Sequence, residues 1–255
     1  MPDAWRLAVG TFLALPVAPP GRVDRTVAGR AMLLAPATTA PALVWWAGLA
    51  VLTGRDWLPL VVAAALAAAG PVLLSRAMHL DGLADTADGL SAGYDPQRSL
   101  TVMRRGDIGP SGVTAIVLVL LLDVTCLATL LSTRQGALLA GTALVASRLA
   151  PAVACCRWPA ARPEGLGHAV AGSVPLSSLV GAVAALLCVG AVAAWLTHLA
   201  WYAAVLGALV AILGAWSVTH RAVRRLGGVT GDVIGAAVEV SLALGLVAAA
   251  VLVRF

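Results

Sequence analysis

Gly112-Val-Thr-Ala-Ile-Val-Leu-Val-Leu-Leu-Leu-Asp123-Val-Thr-Cys-Leu-Ala-Thr-Leu-Leu131 is a run of twenty residues carrying one charge. As a helix rising about 1.5 Å per residue, it reaches about 30 Å, the thickness of a bilayer's hydrocarbon core. Six further apolar runs accompany it, at 31–53, 57–78, 136–155, 176–196, 201–219 and 232–252. The 255-residue chain is 60% hydrophobic and 11% charged, with a mean hydropathy of +0.94. So little polar surface cannot cover a soluble globule, and lipid has to take its place. The expected fold class is all-α, a polytopic transmembrane helical bundle of about seven spans, forming a single membrane domain over 1–255.

The stretch from Ala4 to Leu15 is too short to cross and is stopped by Pro16, Pro19 and Pro20. With Trp5 and Arg6 it reads as an interfacial or re-entrant segment within a cytoplasmic N-terminal stretch, 1–30. It has neither the basic start nor the small-residue cleavage site of a signal peptide, so it is expected to be retained. All seventeen basic residues are arginine. Thirteen fall in alternate loops, three in the others, and Arg148 lies inside a span. Because short cytoplasmic loops hold the excess of positive charge, the N-terminus is placed in the cytoplasm and the C-terminus outside. Cys126, Cys155, Cys156 and Cys188 lie within apolar spans without metal-ligand spacing and read as small buried hydrophobes.

Five of the twelve acidic residues fall between Asp81 and Asp107. The segment Arg76-Ala-Met-His-Leu-Asp-Gly-Leu-Ala-Asp-Thr-Ala-Asp-Gly-Leu90 contains no proline and is expected to continue the second span as a helix. At 100° per residue, Asp81, Asp85 and Asp88 share one face. Like charges so placed repel, which makes a counter-cation the natural resolution, and all-oxygen ligands favour Mg²⁺ or Mn²⁺. Small residues between the acids, Gly82, Ala84, Ala87 and Gly89, allow a bulky ligand or another helix to approach. Gly70-Pro71 is expected to kink the second span. His79 stands opposite Asp81 on a straight helix and joins the acidic face, as a candidate general base, only if the helix begins near Asp81.

Tyr94-Asp95-Pro96 is expected to turn the chain. In the same loop, spanning 79–111, Arg104 and Arg105 are candidate phosphate clamps, because guanidinium forks match phosphate oxygens; marking the cytoplasmic face is their other reading. Arg148 is an intramembrane charge and on that ground a functional-site candidate. In Gly227-Gly228-Val-Thr230-Gly231-Asp232, glycines precede a helix N-terminus whose N–H groups favour anions, and Glu239 shares a helical face with Asp232. A plain loop with tight helix packing would use those glycines as well. Asp123 reads as an inter-helix hydrogen-bond partner. His168, His198 and His220 receive no role.

The stretch His79-Leu-Asp-Gly-Leu-Ala-Asp-Thr-Ala-Asp-Gly-Leu90 resembles the signature of the cobalamin synthase family, the adenosylcobinamide-GDP ribazoletransferases. Leu13-Ala-Leu-Pro16, Met103-Arg104 with Ile108-Gly109, Ser147-Arg148, and Gly227-Gly228 with Thr230-Gly231-Asp232 and Gly235-Ala236 extend the resemblance. Where many members have Lys or Arg, then Asp and a further Arg before Ile-Gly, this chain reads Arg104-Arg105-Gly106-Asp107.

The resemblance implies a Mg²⁺-dependent enzyme of the bacterial plasma membrane with its active site in the cytoplasm. It would join adenosylcobinamide-GDP to α-ribazole, or to its 5′-phosphate, and release GMP. Mg²⁺ would sit on Asp81, Asp85 and Asp88. Arg104, Arg105 or Arg148 would hold phosphate oxygens, and Asp88, Asp232 or His79 would take the proton from the nucleophile. Expected partners are these small molecules and lipid, with no nucleic acid and the oligomeric state open. Two alternatives stand beside this reading. A CDP-alcohol phosphotransferase also uses clustered aspartates, but Asp85 stands where that family's Arg should be. An ion or proton transporter would use Asp123, Arg148 and Glu239 as an intramembrane relay.

Overall fold

A computed structural model describes residues 2–13 and 15–254. The chain begins with α1 (Pro2–Phe12), α2 (Arg25–Leu34), a 3₁₀ turn at Ala35–Thr39, α3 (Ala40–Thr53), α4 (Leu60–Leu74) and α5 (Met78–Ser91). It continues through α6 (Pro96–Val102), α7 (Pro110–Leu130), α8 (Arg134–Ser147), α9 (Ala150–Ala154) and α10 (Leu166–Val170). Three long helices follow: α11 (Leu176–Leu196), α12 (Trp201–Leu226) and α13 (Gly231–Leu252). Among the described residues there is no β-strand, only an isolated bridge between Ala160 and Val229. The protein is an all-helical bundle.

Six segments are long and apolar enough to cross a bilayer: Arg25–Thr53, Pro110–Leu130, Arg134–Ala154, Leu176–Leu196, Trp201–Leu226 and Gly231–Leu252. The expected second span is broken: α4 and α5 pass the same test of length and composition only together, as a bent pair that would make a seventh. Helices α4 and α5 meet at 87°, so the aspartate segment does not continue α4. The kink expected at Gly70-Pro71 does not turn the chain there. Pro71 lies inside α4, and Gly70 instead makes room for Trp45, whose Cδ1 would stand 2.6 Å from an added Cβ. The chain turns at Arg76 and Ala77, both in the left-handed region with φ of 55° and 58°. For residues with a Cβ that conformation costs about 1–2 kcal/mol each, so tertiary packing has to hold the corner.

Local signals set other ends. Thr230 caps α13 by accepting from the Val233 N–H at 3.2 Å, Thr133 caps α8 through the Gly136 N–H at 3.0 Å, and Gly227 at φ 81° ends α12. Asp95 does the same for α6, so the Tyr94-Asp95-Pro96 turn is a helix start. Helix α1, at 11 residues, is too short to span, as expected. It buries Ala4, Ala8, Val9 and Phe12.

Helix α13 is the axis of the bundle, packed on α12, α5, α8 and α7. In α13 and in the α8–α9 segment 72% of the most apolar stretch is buried, against 11% in α11, which therefore presents nearly its whole girth outward. Where lipid offers no hydrophobic gain between helices, small residues let backbones close up. Gly245 does so here: a Cβ on it would fall 3.0 Å from the Ala211 Cβ and 3.1 Å from that of Ala143. All four cysteines are free. Cys126, Cys155 and Cys156 are buried as expected, whereas Cys188 is exposed on α11.

Candidate active site

Helix α5 lies directly on the first turns of α13. A Cβ on Gly82 would stand 2.7 Å from the Asp232 carbonyl oxygen, and one on Gly235 would stand 3.2 Å from the His79 backbone. Two glycines facing across the crossing thus set Asp232 beside the aspartates of α5. Asp81 is exposed, Asp85 half-buried and Asp88 buried. Burial first, and then the negative charges of Asp232 and Asp81, push the Asp85 carboxyl up to about 6. Arg162 opposes them.

The Asp232 carboxylate accepts the Thr230 hydroxyl at 3.2 Å and lies 3.5 Å from Arg162 Nη1. Arg162 Nη2 donates to the Leu100 carbonyl at 3.0 Å, while its buried Nε has no partner among the described residues. Asp81, Asp85 and Asp232 thus form an acidic surface with one guanidinium set into its edge. Arg104 is exposed on the rim, close enough to Arg162 to repel it, and Arg105 is exposed in the same turn.

Asp88 differs from the expected shared face. Its Oδ2 accepts the Gly109 N–H at 2.7 Å and its Oδ1 accepts the Gly112 N–H at 2.9 Å. The stretch 109–112 wraps the carboxylate so closely that a Cβ at either glycine would fall within 2.6 Å of it. Both oxygens hold the positive N-terminal end of α7, which leaves Asp88 poorly placed as a metal ligand or a base. The helical spacing was right, but it could not foretell which helix covers the last turn of α5.

His79 is in the first turn of α5, yet it faces α13 rather than the acidic surface. It is 2% exposed, its ring lies 6.0 Å from that of Phe12, and its Nδ1 is 3.7 Å from Glu239 Oε1. Neither ring nitrogen has a hydrogen-bond partner among the described residues. Arg148, at the break between α8 and α9, is also buried; its Nη1 donates to Ser147 Oγ at 2.9 Å, and it lies within electrostatic reach of Glu239 and Asp123. His79, Arg148, Glu239 and Asp123 therefore make a buried polar layer apart from the acidic surface. Asp123 Oδ1 has no hydrogen-bond partner among the described residues, so the inter-helix bond expected of it is not formed at that atom.

The glycine loop is also committed to packing. Gly228 lies on the 159–161 backbone, where a Cβ would meet the Ala160 carbon at 2.5 Å. The Val229 N–H donates to the Pro159 carbonyl at 2.8 Å, and the Ala161 N–H donates to the Val229 carbonyl at 3.0 Å. Gly227 closes α12 and Thr230 caps α13, so the expected anion-binding turn serves to carry Asp232 to the site.

Arg162 was missed by sequence reasoning, as was Arg225, whose guanidinium donates to the carbonyls of Leu90 and Gly93 and lies 4.4 Å from the centre of the Tyr94 ring. Their signal was present but read only as loop charge.

No three His, Cys, Asp or Glu side chains among the described residues converge as a complete metal site. Mg²⁺ commonly takes one or two carboxylates and completes its shell with water and substrate phosphate. A group of oxygen donors in which burial and then the neighbouring negative charges raise Asp85, with only Arg162 in compensation, fits that incomplete kind of site.

A family model described as cobalamin-5-phosphate synthase matches residues 4–250. The chain is 48% identical over 249 residues to an adenosylcobinamide-GDP ribazoletransferase of Nocardioides sp., covering 97% of this chain and 98% of that one. It is 38% identical over 262 residues to the protein of that name from Frankia casuarinae, covering 93% and 91%, and 36% identical over 230 residues to one from Pseudomonas fluorescens, covering 89% and 90%. No solved structure matches.

Proposed function

The chain belongs to the cobalamin-5-phosphate synthase family, a family of transferases, and from that premise we propose that it transfers the adenosylcobinamide phosphate moiety of adenosylcobinamide-GDP to α-ribazole or α-ribazole 5′-phosphate. The products are adenosylcobalamin, or its phosphate, and GMP. The observation that carries the reading is Asp232 of α13 brought against Asp81 and Asp85 of α5, with Arg162 at their edge.

A hydroxyl oxygen of the acceptor forms a bond to the phosphorus on the cobinamide side of the diphosphate. The bond from that phosphorus to the bridging oxygen breaks, and GMP leaves with the electron pair. Such a transfer needs positioning and charge neutralisation more than covalent help. Mg²⁺ held by Asp81 and Asp85 would neutralise the diphosphate and the departing GMP. Asp232 takes the proton from the attacking hydroxyl, and Arg162, with Arg104 on the rim, holds phosphate oxygens. Asp88 positions the start of α7 rather than touching substrate.

The arginine-rich loops make this end the cytoplasmic one, with the protein spanning the bacterial plasma membrane several times as one domain. The test is GMP release from adenosylcobinamide-GDP by protein in lipid nanodiscs. The reading requires release that depends on added α-ribazole or its 5′-phosphate and yields the joined product; acceptor-independent release, or none, contradicts it.

A further inference from the structure

Arg162 also lines a cleft of about 710 Å³, within the range of small-molecule sites. Arg25, Arg157, Arg162 and His168 line it, with Trp158 forming an apolar wall, and no Asp or Glu does. Its backbone is fixed rather than loose. The 159–161 stretch is pinned to Val229 by the two hydrogen bonds described above, and Arg25 Nη2 donates to the Gly172 carbonyl.

The guanidinium groups of Arg25 and Arg157, with no carboxylate in the lining, and that of Arg162, shared with Asp232, form an anion site, since such forks pair with phosphate oxygens. The space is larger than a bare phosphate needs, and Trp158 offers an aromatic wall beside the charges. Arg162 belongs to both surfaces: it lines the cleft and reaches Asp232 at 3.5 Å. A ligand anchored in the cleft therefore extends toward the acidic surface past a single side chain.

We propose that this cleft binds the acceptor nucleoside through a phosphate monoester, with Arg25 and Arg157 holding the phosphate and Arg162 the end at which the attacking hydroxyl meets Asp232. The inference rests on the transfer proposed above and adds to it the seat of the acceptor.

The test is equilibrium binding of α-ribazole 5′-phosphate and of α-ribazole to the full-length protein in phosphatidylcholine nanodiscs, with no donor substrate present. The phosphorylated compound is expected to bind at least tenfold more tightly, and Arg157→Ala to remove most of that preference. In the wild-type protein, α-ribazole 5′-phosphate is expected to shield Arg25 and Arg157 from phenylglyoxal, read by mass spectrometry, which does not depend on a variant folding. Equal binding of the two compounds, a preference unchanged in Arg157→Ala, or shielding by phosphatidylglycerol in the bilayer instead of the nucleotide would each overturn the proposal, the last by assigning the cleft to a lipid headgroup. Phosphate-dependent binding without any GMP release in the complete reaction would contradict the transfer and leave the cleft standing.

Discussion

Gly82 of α5 rests on the backbone of Asp232 of α13, so closely that a Cβ would come within 2.7 Å of the Asp232 carbonyl oxygen. Because that neighbour is backbone, it cannot give way as a flexible side chain would. Gly82→Ala is therefore expected to part the two helices and separate Asp232 from Asp85. A misplacement of about 1 Å can cost 10²-fold in rate. GMP release by Gly82→Ala should fall by about that factor, with the protein still eluting as a folded species; wild-type turnover would show that the close crossing does not matter.

Asp88 is expected to act on stability. Its two hydrogen bonds to the Gly109 and Gly112 N–H groups involve a buried carboxylate, and bonds to charged groups contribute about 1.5–3 kcal/mol each. An amide has one acceptor oxygen and cannot replace both. Asp88→Asn should lower the thermal unfolding midpoint in mild detergent while retaining Mg²⁺ binding. Loss of Mg²⁺ binding with an unchanged midpoint would make Asp88 a ligand after all.

The acidic surface should respond to pH with a definite sign. Asp85 is held at about 6, above its usual range, by burial and by the negative charges of Asp232 and Asp81. It is ionised above that value and protonated below, so at subsaturating Mg²⁺ metal binding should weaken as the pH falls through about 6. Arg162 works against the rise, so Arg162→Gln should move this loss to higher pH. A titration of Mg²⁺ affinity between pH 5 and pH 8 reads both; a midpoint moving downward in Arg162→Gln would be the wrong sign.

Orientation has its own check. Gln97 is exposed on α6, beside the acidic surface's loop, and Gln97→Cys should react in intact cells only with membrane-permeant thiol reagents. Of the native cysteines Cys126, Cys155 and Cys156 are buried, and Cys188 lies on a lipid-facing helix, so the background is low. Labelling by an impermeant reagent would place this end of the bundle outside.

The apolar runs were legible because a bilayer imposes one length and one composition on whatever crosses it. The 87° corner between α4 and α5 was not, since Arg76 and Ala77 are ordinary helical residues held left-handed by what surrounds them. Spacing put Asp81 and Asp85 together correctly, being a property of one helix. Which further carboxylate stands beside them depends on which helices meet: Gly82 brings Asp232 to that surface, while Gly109 and Gly112 enclose Asp88. Arg162 escaped notice for the same reason: seventy residues separate it from the Asp232 it approaches, and in a loop it resembles any topological arginine.

The most direct measurement is acceptor-dependent GMP release as a function of Mg²⁺ concentration, for the wild-type protein and for Asp85→Asn, in nanodiscs. Release by the wild type should vanish with chelator and return with Mg²⁺, and Asp85→Asn should be slower by about 10²-fold or more, the loss expected when a charge-stabilising group is removed. Release that survives chelation, or a wild-type rate in Asp85→Asn, would contradict a divalent ion held on this acidic surface.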